Sequence, residues 1–139
     1  IGDARATAMG AWGRRNIGQL LRERHGEDAV VLAGFGMNRG RVLAGESWES
    51  AMRQMTIPEG PPGTYEYLFN RLGFEKTLFL FTTKHRQGPL AAERGHRAIG
   101  VVYNPADEFP GNYVPTVLPS RYDAFIFIAE TRALTPLSH

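Results

Sequence analysis

The chain has 139 residues, enough for one domain that buries a sizeable core, and 42% of them are hydrophobic. No apolar run approaches the roughly 18 residues of a membrane-spanning helix, and the lack of cysteine excludes disulfides, thiolate nucleophiles and cysteine-based zinc sites. The formal net charge is only +2 and the arginines are scattered, so we expect neither a nucleic-acid nor a membrane partner. A chain without cysteine suits a reducing compartment, and we expect a cytoplasmic protein.

The first predicted element is an amphipathic helix over residues 3–25. Asp3 is a candidate N-cap, Gly26 ends the pattern, and Asn16 interrupts an apolar stripe, which predicts a hydrogen bond to neighbouring backbone. Position 1 is Ile rather than Met, and the helix starts at once. Because a strand usually precedes such a helix in an α/β protein, we expect a carboxy-terminal piece of a larger protein.

Four short apolar runs have the pattern of buried strands, and they lie at residues 29–35, 77–81, 98–103 and 124–128. They predict the α/β class, with a mostly parallel sheet of about four strands flanked by helices. A helix capped by Thr64 and closed by Gly73 precedes the second run. Residues 40–63 contain two candidate arms of a β-hairpin-like insertion.

Polar loops follow these predicted strands. In parallel sheets, ligands bind beyond the carboxyl ends of the strands, where the loops begin. We therefore expect one edge of the sheet to collect the helix start at Gly2-Asp3 and the loops at residues 36–40, 82–85, 104–108 and 130–132.

Each candidate polar group admits a structural and a functional interpretation. Asp3 is an N-cap or a functional carboxylate, and Arg5 faces an anionic group or solvent. The glycines around Asn38 and Arg39 permit a bend, because no helix with a lysine and a hydroxyl follows them, as a phosphate loop requires. The histidines lack metal-ligand spacing and no nucleophile and base stand together. We expect no metal site, no cofactor and no catalytic residue in this chain.

Several blocks in this order resemble the carboxy-terminal part of erythromycin esterase family proteins, nearly from end to end. They are Gly2-Asp-Ala-Arg-Ala-Thr7, Asn16-Ile-Gly-Gln-Leu-Leu21, Val31-Leu-Ala-Gly-Phe35, Arg97-Ala-Ile-Gly-Val-Val-Tyr103, Arg121-Tyr-Asp-Ala-Phe-Ile-Phe127 and Glu130-Thr-Arg-Ala-Leu-Thr-Pro-Leu137.

The resemblance implies an ester hydrolase whose catalytic residues lie upstream of Ile1. In family members, a strand ending in His-Asn-x-His typically precedes the Gly-Asp-Ala-Arg segment. The implied reaction is ester hydrolysis by water that His and Glu activate, which is macrolide lactone opening, and hence macrolide resistance, in the characterised members. The family label also covers proteins of succinoglycan biosynthesis.

The matched motifs imply which residues lie nearest the catalytic centre. Asp3 and Arg5 match the motif immediately after the expected histidines, and the loop with Asn38 and Arg39 follows the next strand. We expect these four residues to bind substrate. Asp123 and Glu130 flank a predicted buried strand, where structural roles are favoured.

We therefore interpret residues 1–139 as a single α/β domain, the carboxy-terminal lobe of a larger hydrolase, that is inactive alone. It would supply scaffold and one wall of the cleft for a small-molecule ester or macrolide-like substrate. Its expected partners are the upstream half of the same protein and, through an exposed sheet edge, a second copy. The alternative is a noncatalytic small-molecule-binding or assembly domain of the same fold.

Overall fold

Six strands and five short helices follow one another in the computed structural model, which describes residues 2–135. The strands are β1 (Ala33–Ala44), β2 (Arg53–Ile57), β3 (Lys76–Leu80), β4 (Arg94–Arg97), β5 (Tyr113–Thr116) and β6 (Ala124–Thr131). The helices are α1 (Ala8–Ala11), α2 (Ile17–His25), α3 (Tyr65–Arg71), α4 (Thr83–Gln87) and α5 (Leu118–Arg121). The α/β class predicted from the sequence is confirmed.

The main sheet has four strands in the order β2-β1-β6-β3, and most of its pairings are antiparallel. β1 and β6 are parallel, whereas β1 pairs antiparallel with β2, and β3 pairs antiparallel with β6. The prediction of a mostly parallel sheet is therefore wrong. An apolar run shows that a strand is buried but carries no information on its direction, which the connections decide.

The hairpin-like insertion is confirmed. β1 extends beyond the predicted run and turns back into β2, with Gly40 opposite Ile57 and Ala44 opposite Arg53. Only residues 40–44 of β1 pair with β2, while residues 33–40 pair with β6. Gly40 lies where the two pairings meet, and its φ of +136 is a backbone conformation that residues other than glycine rarely adopt.

The predicted strand at residues 98–103 does not form. Instead β4, just before it, pairs with β5 in a separate two-stranded sheet. The run crosses to the hairpin, where Gly45 N donates to Val101 O at 2.9 Å and Tyr103 N donates to Gly45 O at 3.0 Å. Its apolar side chains serve a second small core, in which Tyr103 is fully buried beside Met55.

The long helix predicted over residues 3–25 is interrupted. A 3₁₀ turn at Ala4–Ala6 is followed by α1, and Gly13 at φ +74 breaks the chain before α2 begins. Asn16 is the N-cap of α2, because its Oδ1 accepts a hydrogen bond from Gln19 N at 3.0 Å. The predicted hydrogen bond of Asn16 to the backbone thus marks the start of a second helix rather than a polar residue inside one long helix.

The main core is aromatic and lies between α3 and one face of the sheet. Thr64 caps α3, with Thr64 Oγ1 accepting from Tyr67 N, and Tyr65 is fully buried. The Phe69 ring stacks on Phe79 at 4.6 Å between centroids and meets Phe127 edge-on at 5.4 Å. Such pairs add to the free energy that burial of their area contributes.

No helix in residues 2–135 has the length and apolar character needed to cross a bilayer.

Replacing Phe69 with Ala should remove the centre of this aromatic core. We expect the free energy of unfolding to fall by about 4 kcal/mol, because the cavity is enclosed by other rings. Urea unfolding followed by circular dichroism measures it. The matched control is Leu72→Ala at the end of the same helix, where the side chain is 61% exposed and the cost should be small. Equal losses for the two variants would contradict this assignment of the core.

Candidate functional site

The loops predicted to meet at one edge are divided between the two ends of the main sheet. Because β3 is antiparallel to β6, Leu80 pairs with Ala124, and the loop after β3 lies at the amino end of β6. Asp3 is at that end too, since Asp3 N donates to Arg121 O at 2.9 Å. Residues 38 and 39 lie on β1 beside the carboxyl end of β6, on the order of 20 Å away at the rise of a strand.

Asp3 is the centre of a buried ion network at the amino end. It is 2% exposed and caps the first 3₁₀ turn by accepting from Arg5 N at 3.0 Å. Arg5 binds both carboxylate oxygens, with Nε at 3.0 Å from Oδ1 and Nη2 at 2.6 Å from Oδ2. Arg22 Nη1 lies 3.3 Å from Oδ2. The structure thus brings Asp3 and Arg5 together and shows Asp3 as an N-cap and as the ion-pair partner of two arginines, while a functional role for its carboxylate stays a prediction.

The pKa of Asp3 reflects this competition between burial and donors. Loss of solvent raises the pKa of the carboxyl, but hydrogen bonds from the Arg5 side chain, the Arg5 backbone and Arg22 outweigh it and hold the pKa below the ordinary value. Asp3 is therefore a stable anion. Its charge holds Arg5, whose side chain remains 47% exposed, at the mouth of the network.

Asp123 extends the network to three further segments. Its Oδ2 accepts from Arg22 Nη2 at 2.6 Å and from Leu32 N at 2.8 Å, and its Oδ1 accepts from Arg86 Nη2 at 3.1 Å. Asp123 thereby joins α2, the start of β1 and α4. These contacts agree with the structural role favoured for Asp123.

Asn38 and Arg39 lie at the other end and differ in exposure. Asn38 is 1% exposed and its Oδ1 accepts from Gly60 N at 3.1 Å, so it fastens β1 to the segment after β2. Arg39 is half-exposed and donates from Nη1 to Glu59 at 2.7 Å and from Nη2 to Glu130 at 3.1 Å. The hydrogen bonds to these two carboxylates raise the pKa of Arg39 above its ordinary value, and Glu130 makes the larger contribution.

An open groove of about 760 Å³ runs beside Arg39. Its lining includes Arg41, Gln54, Thr56, Thr131 and Arg132. The groove presents guanidinium and hydroxyl groups beside the carboxyl end of β6 and the middle of β1. This wall fits a small molecule that carries acceptor oxygens.

A second buried network, which sequence reasoning missed, holds the floor of this groove. Arg97 is 6% exposed and donates to the carbonyl oxygens of Met37 at 2.9 Å, Asn38 at 2.6 Å and Pro58 at 2.8 Å. Its Nε donates to Glu108 at 2.7 Å. Arg97 therefore fixes the backbone beside Arg39 on one side of the groove and beside Glu59 on the other.

The same network contains His96 and Glu66, both nearly inaccessible to solvent. Glu66 Oε1 lies 2.8 Å from His96 Nδ1 and accepts from Arg97 N at 3.0 Å. His96 belongs to β4, which the sequence did not predict as a strand. The available signal was the charged residue Glu66 directly after Tyr65 on the apolar side of α3.

Two buried phenols close this network. Burial raises the pKa of Tyr103 and of Tyr113 well above the ordinary value, and the neighbouring Glu108 carboxylate adds to the effect in both. These hydroxyls therefore stay protonated and neutral. Within residues 2–135, no three His, Asp or Glu side chains come together in a way that could hold a metal ion.

The sequence profile of the family described as Erythromycin esterase matches residues 1–131. The chain belongs to the erythromycin esterase family.

Two solved structures share the fold. A protein from Bacillus cereus is 17% identical with a TM-score of 0.66, and the match covers 85% of this chain and 28% of that one. A protein described as a succinoglycan biosynthesis protein is 19% identical with a TM-score of 0.66, over 89% of this chain and 29% of that one. The chain therefore spans less than a third of the length of the solved relatives it matches.

Replacing Asp3 with Asn should remove the anion that holds Arg5 and Arg22. We expect a loss of about 3 kcal/mol at pH 7, because Arg22 is buried and would lose one of its two carboxylate partners. The lowered pKa of Asp3 means that its stabilisation is present above pH 3.8 and disappears as the pH falls through the folded value. Urea unfolding at several pH values measures both effects.

The control for this variant is Asp28→Asn in an exposed turn, which should change stability little. A gap between wild type and Asp3→Asn that stayed constant from pH 7 to the lowest pH at which the fold persists would contradict the assignment.

Replacing Arg97 with Met should leave Glu108 buried without its cation. We expect a loss of about 3 to 5 kcal/mol, measured by urea unfolding, because the desolvated carboxylate and three carbonyl oxygens lose their donor. Arg71→Met, on the exposed side of α3, is the matched control. Similar stability of the two variants would show that Arg97 does not hold the floor of the groove.

Proposed function

We propose that this chain is part of a carboxylic ester hydrolase and supplies the scaffold and one wall of its cleft. The family match over residues 1–131 carries this proposal. In the proposed reaction, water activated by His and Glu attacks the ester or macrolactone carbonyl, and these groups belong to polypeptide outside residues 1–139. The 139-residue chain alone should not hydrolyse esters. The lack of cysteine supports a cytoplasmic location.

The Asp3 network supports a site at the amino end of β6. Asp3 is held there, because Asp3 N donates to Arg121 O and the Asp3 carboxylate accepts from Arg22. A His-Asn-x-His segment before Gly2, as the family resemblance implies, would stand directly beside Arg5.

Arg5 is the group we expect to contact substrate at this end. Asp3 orients its guanidinium through Nε and Nη2, and the half-exposed side chain reaches the surface. A fixed cation beside the reacting carbonyl stabilises the oxyanion that develops as water adds. In this role Asp3 is a positioning residue for Arg5.

Asn38 and Arg39 belong to the groove at the other end of the sheet. We propose that Arg39 contacts ligand there and that buried Asn38 holds the wall through Gly60. The separation of the two ends argues against one small ester touching both pairs of residues.

The groove also favours a second candidate function, noncatalytic binding of a small molecule. Its arginines offer donors, its threonine hydroxyls can donate or accept, and the carboxylates Glu59 and Glu130 are engaged by Arg39. This function needs no acid or base outside the chain. It predicts ligand binding that survives loss of every residue upstream of Gly2.

Assay of the longest polypeptide that contains residues 1–139 against macrolides and simple esters tests the hydrolase proposal. Replacing the expected upstream histidines with Ala should reduce kcat by about 10² to 10⁴. Arg5→Met should reduce kcat by about 10² with a smaller change in KM, because the interaction forms mainly in the transition state. Arg24→Met, an exposed change in α2, is the control.

Unchanged hydrolysis in the histidine variants would overturn the mechanism. An upstream segment without paired histidines, together with ligand binding that depends on Arg39, would favour the noncatalytic function.

A further inference from the structure

One face of the main sheet is apolar and exposed. On β6, Phe125 and Phe127 point into the aromatic core, so the alternate residues Ala124, Ile126 and Ile128 point to the opposite face. We call this opposite face the outer face. The register also places Ala33, Phe35 and Met37 of β1 on it, together with Leu78 and Leu80 of β3 and, at its margin beside Ile128, Lys76.

The strand register makes these side chains contiguous. Phe35 pairs with Ile126, which pairs with Leu78, so the three form one row across the sheet. A second row consists of Ala33, Ala124 and Leu80. Directly opposite side chains in a sheet lie about 5 Å apart, so the two rows make a continuous patch.

The glycines of β1 confirm which way Phe35 points. A Cβ on Gly34 would lie 2.6 Å from the Tyr122 ring, and one on Gly36 would lie 2.5 Å from the Phe125 ring. Both positions therefore face the core, and Phe35 between them faces outward. Phe35 is 66% exposed, Leu78 58% and Leu80 65%. Nothing in residues 2–135 covers the middle of the patch.

Helix α2 also leaves its apolar side chains exposed. α2 buries Gln19 and Arg22, whereas Ile17, Leu20 and Leu21 are 55%, 45% and 39% exposed. A helix of a complete domain normally buries its apolar stripe. Here the apolar stripe faces solvent, so a helix and a sheet both lack an apolar neighbour.

We propose that the outer face is the docking surface for a layer of amphipathic helices supplied by additional polypeptide of a longer chain. More than two thirds of each solved relative lies outside the match, so relatives of this fold have ample chain for such a layer. α3 packs on the core face of the sheet, and the exposed apolar side chains give the outer face a surface that a second layer of helices would bury. The patch carries no charge at its centre, which requires an apolar counterpart. The proposal does not depend on hydrolase activity.

Thiol reactivity tests this proposal, because residues 1–139 contain no cysteine. Single cysteines at Leu78 and at Phe35 are introduced into the polypeptide translated from the complete reading frame, with other cysteines replaced by Ser. An aromatic disulfide reagent reports the labelling rate. The matched control is Leu72→Cys, which replaces a Leu of similar exposure directly after α3, on the opposite side of the sheet.

We expect the thiols of Leu78→Cys and Phe35→Cys to react at least about tenfold more slowly than the thiol of Leu72→Cys, at every protein concentration. Equal rates at the three positions would overturn the proposal, as would a reading frame that adds no chain. Slow labelling that appears only as protein concentration rises would assign the face to a second copy instead. Pairing of sheet edges between copies would leave the face reactive and would also count against it.

Discussion

The carboxylate of Asp123 is the contact on which the amino end of the sheet depends. It accepts from the backbone at Leu32 and from two arginines, Arg22 and Arg86, which belong to α2 and α4. Arg22 is 4% exposed, and an arginine so buried is stable only with partners for its charge. Asp123 supplies one partner and Asp3 the other. The position of Asp3, and with it the orientation of Arg5, therefore follows from the residue that precedes β6.

Arg97 performs a comparable task at the groove, but three of its four acceptors are neutral carbonyl oxygens. Its guanidinium reaches three carbonyl oxygens and the carboxylate of Glu108, which a lysine with a single nitrogen could not do in this geometry. Before Gly40, β1 does not pair with β2. There the Arg97 side chain donates hydrogen bonds to the backbone carbonyl oxygens of Met37 and Asn38. A ligand wall formed by β1 is in this way kept rigid without a further strand.

Local signals in the sequence predicted the elements better than their arrangement. The caps at Asp3 and Thr64 and the backbone hydrogen bond of Asn16 depend on contacts within three residues, and they hold in the structure. The direction of β3 depends on pairing with a strand more than forty residues later, and no local pattern records it. That reversal moved the loop after β3 to the amino end of β6, and the long-range bond from Asp3 N to Arg121 O places Asp3 at the same end, away from Arg39. Arg97 escaped notice because its partners at Met37, Pro58 and Glu108 are distant in sequence.

Helix α2 buries its polar side and exposes its apolar stripe, which shows that buried ion pairs can decide which face of a helix turns inward. Periodicity states which residues share a face of a helix but not which face turns inward. Here Asp3 and Asp123 are placed where one cation can reach both, and Arg22 fills that place. Gln19 and Gly18 precede Arg22 by three and four positions, so they share its face of the helix and turn inward with it. Gly18 fits because a Cβ there would lie 2.5 Å from Gly2 O. The apolar residues of α2 are exposed as a consequence, so this helix is held by buried charges on one side and has its hydrophobic surface free for a neighbour on the other.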